Sequence, residues 1–458
     1  MPLRLVLINA ITMLKGAFAR ITGASLRIAT VNVVVIANAL IWYFYAFNFL
    51  LSVAEKGAFT SEQNLLIWGP NFIGIVISAI TISSLMDKLN RRIPFILSWM
   101  LAGVFLSLIP LVINIASFEI LVIYSTLVGV YFGIGIPVVM GYFAATTESA
   151  YRSRLSGITF LTIFLGYLTL GSIGQNDIIA IAIVLAACKG FGVSFLLLLK
   201  PNWNQISRDD KTSYRSILRN RNFLMYFTPW LMFSLVNYLA IPINAKIFTE
   251  DIFQYSSILE NVFAAIFAVV FGFIADYMGR KRITVIGFSL LGLGYAVLGL
   301  FPGNIFGLWF YTVLDGIAWG AFYTLFLLTI WGDLSQGKKS EKYYAIGSLP
   351  FLLSNFLRIS LGAAIADISE TPIFSFASLF LFLAVLPLVY APEPLSEKII
   401  KDRELKTYLK KAQKIAARIP KNEAESEQCE TKAENTGLEF KVNQEDDEKA
   451  RELAEKYY

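Results

Sequence analysis

Four ionisable side chains lie inside long apolar stretches of the chain, where no water is available to solvate a charge. They are Lys189, Glu260, Asp315 and Arg358. A charged side chain at the centre of a bilayer costs about 2.5–3.5 kcal/mol on insertion scales, so each of these residues needs a partner or a purpose. The chain has no histidine, so a proton relay would have to use carboxylates. These residue types predict ion pairing or proton transfer inside a membrane.

Asp315 and Arg358 lie in the middle of consecutive apolar stretches and could pair if both stretches form antiparallel helices. A static ion pair and a switchable pair, for which a substrate anion or a proton competes, both stay open, because a buried pair alone is weak evidence of stabilisation. Glu260 is the better candidate for a proton carrier, since no basic neighbour is obvious in its own stretch. Lys189 is expected to snorkel to the interface or to form a structural pair.

The elements that position these side chains are apolar runs of roughly 20 residues, the length that crosses the hydrocarbon core of a bilayer. The chain is 56% hydrophobic and 16% charged, whereas soluble domains are about 45–50% apolar and about 25% charged. We therefore predict an all-α membrane protein with twelve transmembrane helices. The predicted spans are residues 28–54, 63–86, 93–114, 119–143, 154–174, 178–200, 223–246, 255–276, 283–301, 304–331, 343–366 and 371–391.

Basic residues are unequally distributed between the short loops. Nearly all of them lie in the N-terminal segment and in the loops that follow even-numbered spans, and the loops after odd-numbered spans hold only Lys56 and Lys246. Loops rich in Lys and Arg stay in the cytoplasm. We therefore expect an integral multi-pass protein of the plasma membrane with both termini in the cytoplasm.

Polar segments divide the chain into five parts. Residues 397–421 of the tail are basic with apolar residues at helical spacing, and a helix on the anionic inner leaflet and a solvated helix are equally supported. Residues 422–458 are acidic, and we expect them to be disordered up to a short last helix. The predicted parts are an N-terminal cytoplasmic or interfacial segment (1–27), a six-helix half (28–200), a cytoplasmic linker (201–222), a second six-helix half (223–391) and a charged cytoplasmic tail (392–458).

The two halves share sequence markers at one nearly constant separation of about 190 residues, which indicates an internal repeat. Because the repeated unit has six helices, both copies have the same orientation in the membrane. Parallel repeats of this kind place a substrate path at their interface near the bilayer midplane. The paired markers are Asp87 with Asp276, the motif Gly129–Gly133 with Gly316–Gly320, and Gly157 with Gly347.

The stretch "GFIADYMGRKR" between spans eight and nine resembles the signature of the major facilitator superfamily. The copy between spans two and three, "SSLMDKLNRR", keeps Asp87, Arg91 and Arg92 but has Ser83 and Asn90 in place of the glycines. The resemblance covers about residues 28–391. The positions that match the signature are Gly272, Ala275, Asp276, Gly279, Arg280 and Lys281.

The resemblance implies a secondary active transporter that works by alternating access. In that family the signature loop braces the two halves, so Asp276 would lie near Arg154 and Asp87 near Lys342. Such contacts form only when the cytoplasmic side is closed, which makes them a switch. The alternative is that the basic residues only set the topology. The candidate gating residues are Asp87, Arg91, Arg92, Asp276, Gly279, Arg280 and Lys281.

The resembled fold also implies which spans line the cavity, namely the first, second, fourth and fifth of each half. The repeat relates Asn71 to Glu260 and Asn48 to Asn237, at equivalent depths. Asparagine between membrane helices is also ordinary helix-packing glue. Trp42, Tyr43 and Tyr45 of span one could add hydrogen-bonding rings. The candidate substrate residues are Asn48, Asn71, Asn237, Glu260, Asp315 and Arg358.

The expected ligand is a small polar or organic solute, with proton coupling left open. We expect no cofactor, no metal, no nucleic-acid partner and no enzyme activity, and a functional monomer. The chain lacks the Gly-x4-Gly-Lys-Ser/Thr loop of ATP-driven pumps, and Gly129 stands where drug exporters of this superfamily carry an arginine. A receptor or sensor on the same scaffold, with the tail as its output, is the alternative.

Overall fold

The computed structural model describes residues 23–89, 91–171, 177–201, 212–366 and 369–395, together with Lys401, Leu405, Tyr408, Leu409 and Ala412. Within these residues the regular structure is helical, and twelve helices are long and apolar enough to cross a membrane. The predicted all-α fold with twelve spans is therefore confirmed. Residues 1–22, residues 202–211 of the linker and most of the tail lie outside the described residues, so the predictions for them stay predictions.

The first half contains six helices, and helices suit this setting because each satisfies its own backbone hydrogen bonds where lipid offers none. Span one begins five residues earlier than the apolar run predicts, because the helix continues through polar residues at its end. The helices are span one (Gly23–Lys56), span two (Ser61–Leu89), span three (Arg92–Leu108, followed by a 3-10 turn at Ile109–Leu111), span four (Phe118–Thr146), span five (Arg152–Gly171) and span six (Ile178–Leu199).

The second half has the same number of spans, but three of them are interrupted. A short helix, Tyr214–Leu218, precedes it and is called the linker helix below. The spans are seven (Arg221–Asn237 and Ala240–Ile247), eight (Glu250–Met278), nine (Arg280–Leu300), ten (Ile305–Phe322, a π-helical stretch Tyr323–Thr329, and Ile330–Leu334), eleven (Glu341–Gly347 and Leu349–Ala366) and twelve (Glu370–Tyr390).

The glycine motifs of spans four and ten pack against equivalent helices in the two halves. A Cβ atom added to Gly129 would lie 2.4 Å from the backbone oxygen of Asn71, and one added to Gly316 would lie 2.6 Å from the backbone oxygen of Glu260. Only glycine permits backbones to approach this closely. The repeat therefore fixes the packing of span four on span two and of span ten on span eight.

Spans five and eight cross between the halves by the same device. A Cβ on Gly157 would lie 2.3 Å from the backbone oxygen of Ala268, and one on Gly272 would lie 2.6 Å from that of Ser153. Large apolar side chains also point out of the bundle, for example Phe105, which is 71% exposed. An outward apolar surface suits a lipid environment, since lipid tails solvate such side chains.

Candidate functional site

Asp276 joins the two halves at the end of the bundle where spans two, four, eight and ten terminate, which we call the basic end. Its carboxylate is 2% exposed and accepts hydrogen bonds from the backbone N–H groups of Ser153 (3.2 Å) and Arg154 (3.0 Å). Arg154 Nε also donates to it at 2.9 Å. The first turn of a helix carries unpaired N–H donors. Span five therefore binds this carboxylate through its backbone N–H groups and through the Arg154 side chain. The predicted proximity of Asp276 and Arg154 is confirmed.

Asp87 forms the related contact with span eleven. Lys342 Nζ lies 2.6 Å from Asp87 Oδ2, 2.8 Å from the backbone oxygen of Thr212 and 5.4 Å from the centre of the Tyr214 ring. The predicted proximity of Asp87 and Lys342 is confirmed. Asp87 Oδ1 is buried without a hydrogen-bond donor among the described residues, so this contact is less complete than the one at Asp276.

Asp333, at the end of span ten, is the centre of a buried network that motif analysis did not detect. Its carboxylate accepts hydrogen bonds from the Ser149 hydroxyl, from Arg152 Nη1 at 2.5 Å and from Arg280 Nε at 3.0 Å. Arg280 in turn lies 3.0 Å from Asp276. Arg280 therefore links two carboxylates of the second half, and Asp333 links that half to Ser149 and Arg152 of the first. Each buried charge in the network has an opposite charge beside it.

Glu341, the first residue of span eleven, pairs with Arg92 across the halves. Arg92 Nε lies 2.6 Å from Glu341 Oε1, and both side chains are buried. Lys339 nearby donates to the backbone oxygen of Met86 at 3.0 Å. Arg92 thus has the bridging position expected of a gating residue. Arg91 is exposed, and the structure shows no ion pair for it within the described part of the chain.

Gly279 and Lys281 contact the end of span twelve rather than the first half. Gly279 has a φ of +101°, a conformation that glycine adopts without strain. Glu393, just after span twelve, accepts hydrogen bonds from the backbone N–H groups of Arg280 (2.7 Å) and Lys281 (3.2 Å). Lys281 Nζ donates to the backbone oxygen of Val389 at 2.6 Å. These two predicted gating residues therefore hold the second half together at the basic end.

A cavity of about 560 Å³ lies between the halves near the opposite end, which we call the cavity end. Asn48, Glu55 and Trp68 line it from the first half, and Ile241 and Arg358 line it from the second. The Asn48 amide also donates to the Tyr167 hydroxyl. Two of the candidate substrate residues, Asn48 and Arg358, are therefore brought together in one cavity.

The predicted pair between Asp315 and Arg358 does not form, since no carboxylate of the described residues lies within ion-pair distance of Arg358. Asp315 is 3% exposed and lies beside the hydroxyl groups of Tyr311 and Tyr295. Glu260 lies near both Asp315 and Arg358. Arg358 reaches the cavity instead, which takes it away from Asp315.

Asn71 and Asn237 lie between helices. Asn71 Nδ2 donates to the backbone oxygen of Ser125 in span four at 2.6 Å, and Asn237 Nδ2 lies 3.4 Å from Ser354 Oγ in span eleven. Both contacts are those of helix-packing glue. The aromatic rings suggested for the cavity are also packed: Trp42, Tyr43 and Tyr45 are buried.

Lys189 is fully buried in the first half and faces aromatic rings. Its Nζ atom lies 4.1 Å from the ring centre of Trp99, 4.9 Å from that of Trp42 and 5.4 Å from that of Tyr131, and it has no hydrogen-bond partner in the described residues. Lys189 therefore does not snorkel to the interface, since it is fully buried. Its structural partners are the negative faces of three aromatic rings.

Two six-helix halves are thus bridged by charged side chains at one end and line a cavity near the other, which is the arrangement that the resemblance of the signature motif implies. The family model of the Major Facilitator Superfamily matches residues 223–423. The resemblance that the signature motif indicates is thereby confirmed by a family model over the second half of the chain.

Solved structures share the fold. The human organic anion transporter MFSD10 (TETRAN) aligns with a TM-score of 0.60 at 14% identity, over 79% of this chain and 99% of its own. The proton:xylose symporter XylE, bound to 6-bromo-6-deoxy-D-glucose, aligns with a TM-score of 0.59 at 16% identity, over 82% of this chain and 98% of its own. Among curated protein sequences, no match was found.

Proposed function

We propose that the chain is a secondary active transporter that moves a small polar or organic solute across the plasma membrane by alternating access. The observation that carries this proposal is the position of the bridging ion pairs. All of those among the described residues lie at the basic end, whereas the cavity between the halves lies near the cavity end. The pairs that bridge the halves are Asp276 with Arg154, Asp333 with Arg152, Glu341 with Arg92, and Asp87 with Lys342.

The bridging pairs support a conformation whose basic end is closed, and this end is the cytoplasmic one if both termini are cytoplasmic. Opening that end separates the partners and lets water replace the lost contacts. Because breaking a buried pair leaves an uncompensated charge, the open state has to hydrate these groups. A transporter needs both states within a few kcal/mol of each other, so we expect that single pairs tune the balance.

The interrupted helices support the second half as the place where the solute is bound. Span seven breaks after Asn237, and span ten is π-helical over Tyr323–Thr329. Discontinuous helices free backbone groups for binding in transporters, and π-helical segments are frequent at functional sites. The described spans of the first half have no such interruption.

We propose Glu260 as the site of proton coupling, because it lies near Arg358, which also lines the cavity. An anionic group bound beside Arg358 offsets the positive charge that otherwise favours the ionised form of Glu260. The Glu260 carboxylate then takes up a proton more readily, so that one negative charge and one proton move together. The known proton symporter and organic anion transporter of the same fold are compatible with this mechanism.

Uptake into proteoliposomes tests both parts of the proposal. We expect an imposed inward proton gradient to accelerate solute uptake, and Glu260→Gln to remove that acceleration while leaving equilibrative exchange. The matched control is Glu62→Gln, which changes an exposed carboxylate at the start of span two. A full response to the gradient in Glu260→Gln would reject Glu260 as the proton site, and absence of uptake of any solute in the unmodified protein would reject transport itself.

A further inference from the structure

A shallow polar pocket lies beside the linker helix at the basic end. It encloses about 360 Å³ and is lined by Ser213, Arg215, Ser216, Arg219 and Asn220, a set that we call the linker pocket. Arg215 and Arg219 are one helical turn apart and lie on the same side of the helix. Both are exposed, and neither has an ion pair in the part of the chain that the structure describes. The pocket therefore presents two serine hydroxyls and two guanidinium groups that no carboxylate of the described residues neutralises.

The linker pocket lies where the chain enters the bilayer. Asn220 is followed directly by Arg221, the first residue of span seven. The neighbouring apolar side chains of Leu218 and Leu224 are 47% and 37% exposed. Basic side chains next to exposed apolar ones are typical of segments that lie at the boundary between lipid headgroups and acyl chains. The expected surroundings are thus lipid phosphates rather than bulk water.

We propose that the linker pocket binds the phosphate of an anionic phospholipid headgroup, with Arg215 and Arg219 as its two charged ligands. Arginine is suited to this role because its planar fork of donors matches two phosphate oxygens and stays charged. Basic groups close to an anionic membrane surface are attracted to its negative surface potential. The Ser213 hydroxyl accepts a hydrogen bond from the Ser216 N–H and can donate its own proton to a remaining phosphate oxygen.

A bound headgroup would act on the bridge at Asp87 through the linker helix. Tyr214 on this helix donates to the backbone oxygen of Ile80 in span two at 2.9 Å, and burial raises the pKa of Tyr214, so its hydroxyl remains a neutral donor. Thr212, just before the helix, accepts from Lys342, the partner of Asp87. A bound headgroup that fixes the linker helix therefore also fixes the contacts of Thr212 and Tyr214 near Lys342. These contacts stabilise the pair of Lys342 with Asp87, which favours the closed basic end.

Lipid retention by the full chain tests the proposal. The purified protein is placed in nanodiscs of phosphatidylcholine with phosphatidylglycerol, and native mass spectrometry counts the lipids that stay bound. We expect Arg215→Gln with Arg219→Gln to lower the retention of phosphatidylglycerol about tenfold. The control carries Arg282→Gln and Lys338→Gln, which remove the same charge from exposed positions outside the pocket, and it should retain the lipid.

Two further measurements make the outcome decisive. Thermal unfolding in phosphatidylcholine alone should be the same for both double variants, which separates lost binding from lost folding. Soluble glycerol phosphate should not stabilise the unmodified protein as phosphatidylglycerol does. Equal retention by the pocket variant and the control, or equal stabilisation by glycerol phosphate, would overturn the proposal of a lipid site.

Discussion

At the scale of single residues, Lys189 shows how a membrane protein can bury a charge without an opposite one. The sequence places the residue in an apolar span and predicts that it snorkels to the interface or forms a structural pair. The structure supplies Trp42, Trp99 and Tyr131, from three other spans, around its ammonium group. Desolvated contacts between a cation and aromatic faces contribute about 2 kcal/mol or more. No local pattern reveals such a cage, because its members are distant in sequence.

Removing one ring of the cage should destabilise the protein only while the charge is present. We expect Trp99→Leu to lower the free energy of unfolding by about 2 kcal/mol more in the natural background than in a Lys189→Met background, because methionine fills similar space without a charge. Denaturant unfolding in detergent measures this double-mutant cycle. Trp68→Leu, which removes a buried tryptophan packed on Phe47 rather than on Lys189, should cost the same in both backgrounds. Equal costs for Trp99→Leu would contradict the cage.

At the scale of elements, the two signature loops differ in how many contacts their aspartates make with the opposite half. Asp276 is bound by two backbone N–H groups and by Arg154, whereas Asp87 is bound across the halves by Lys342. The resemblance of the motif to the superfamily signature implied both partners, since in that family each signature aspartate faces the start of a helix in the opposite half. It could not predict Asp333 or Glu341, because polar residues are common at the ends of spans and only the packing of the halves selects which of them meet.

Because Asp276 has more partners across the halves than Asp87, its substitution should open the basic end more often. In a background without Cys188 and Cys429, a cysteine at Ser156 reports opening, because Ser156 is buried and contacts Thr329 across the halves. We expect Asp276→Asn to raise labelling of this cysteine from the basic end about tenfold, equivalent to about 1.4 kcal/mol, and Asp87→Asn to raise it less. Labelling that is unchanged by Asp276→Asn, or that rises more with Asp87→Asn, would contradict the prediction that the second loop is the stronger brace.

At the scale of the whole molecule, the bridges at the basic end keep the halves together while the cavity between them remains. The twelve spans, their repeat and the signature loops were predictable, because hydrophobic length, loop charge and a long motif are all local in sequence. The cavity was predictable only in part. Asn48 and Arg358 line the cavity, but Asn71 and Asn237 form hydrogen bonds with neighbouring helices. The sequence does not fix the rotation of a span about its axis, so it cannot tell whether a polar side chain faces the cavity or another helix.

Reversing one bridge tests whether the halves are held by charge complementarity. We expect Arg92→Glu alone and Glu341→Arg alone each to reduce transport at least tenfold, since each leaves two like charges buried together. The combined exchange should restore much of the activity, because the pair is re-formed with opposite polarity. Uptake rates at matched protein amounts provide the measurement. Failure of the combined exchange to exceed either single variant would mean that these residues act independently.

The contact of Glu393 with the start of span nine has a consequence for the order in which the protein is made. The N–H groups of Arg280 and Lys281 receive their carboxylate from a residue more than a hundred positions further along the chain. While the chain is being synthesised, the loop at Gly279 therefore has no cap until span twelve has entered the membrane. The first half has all its spans long before that moment. The second half, and with it the brace at Asp276, is completed last, so a nascent chain that stops before Glu393 would hold an unfinished loop at its basic end.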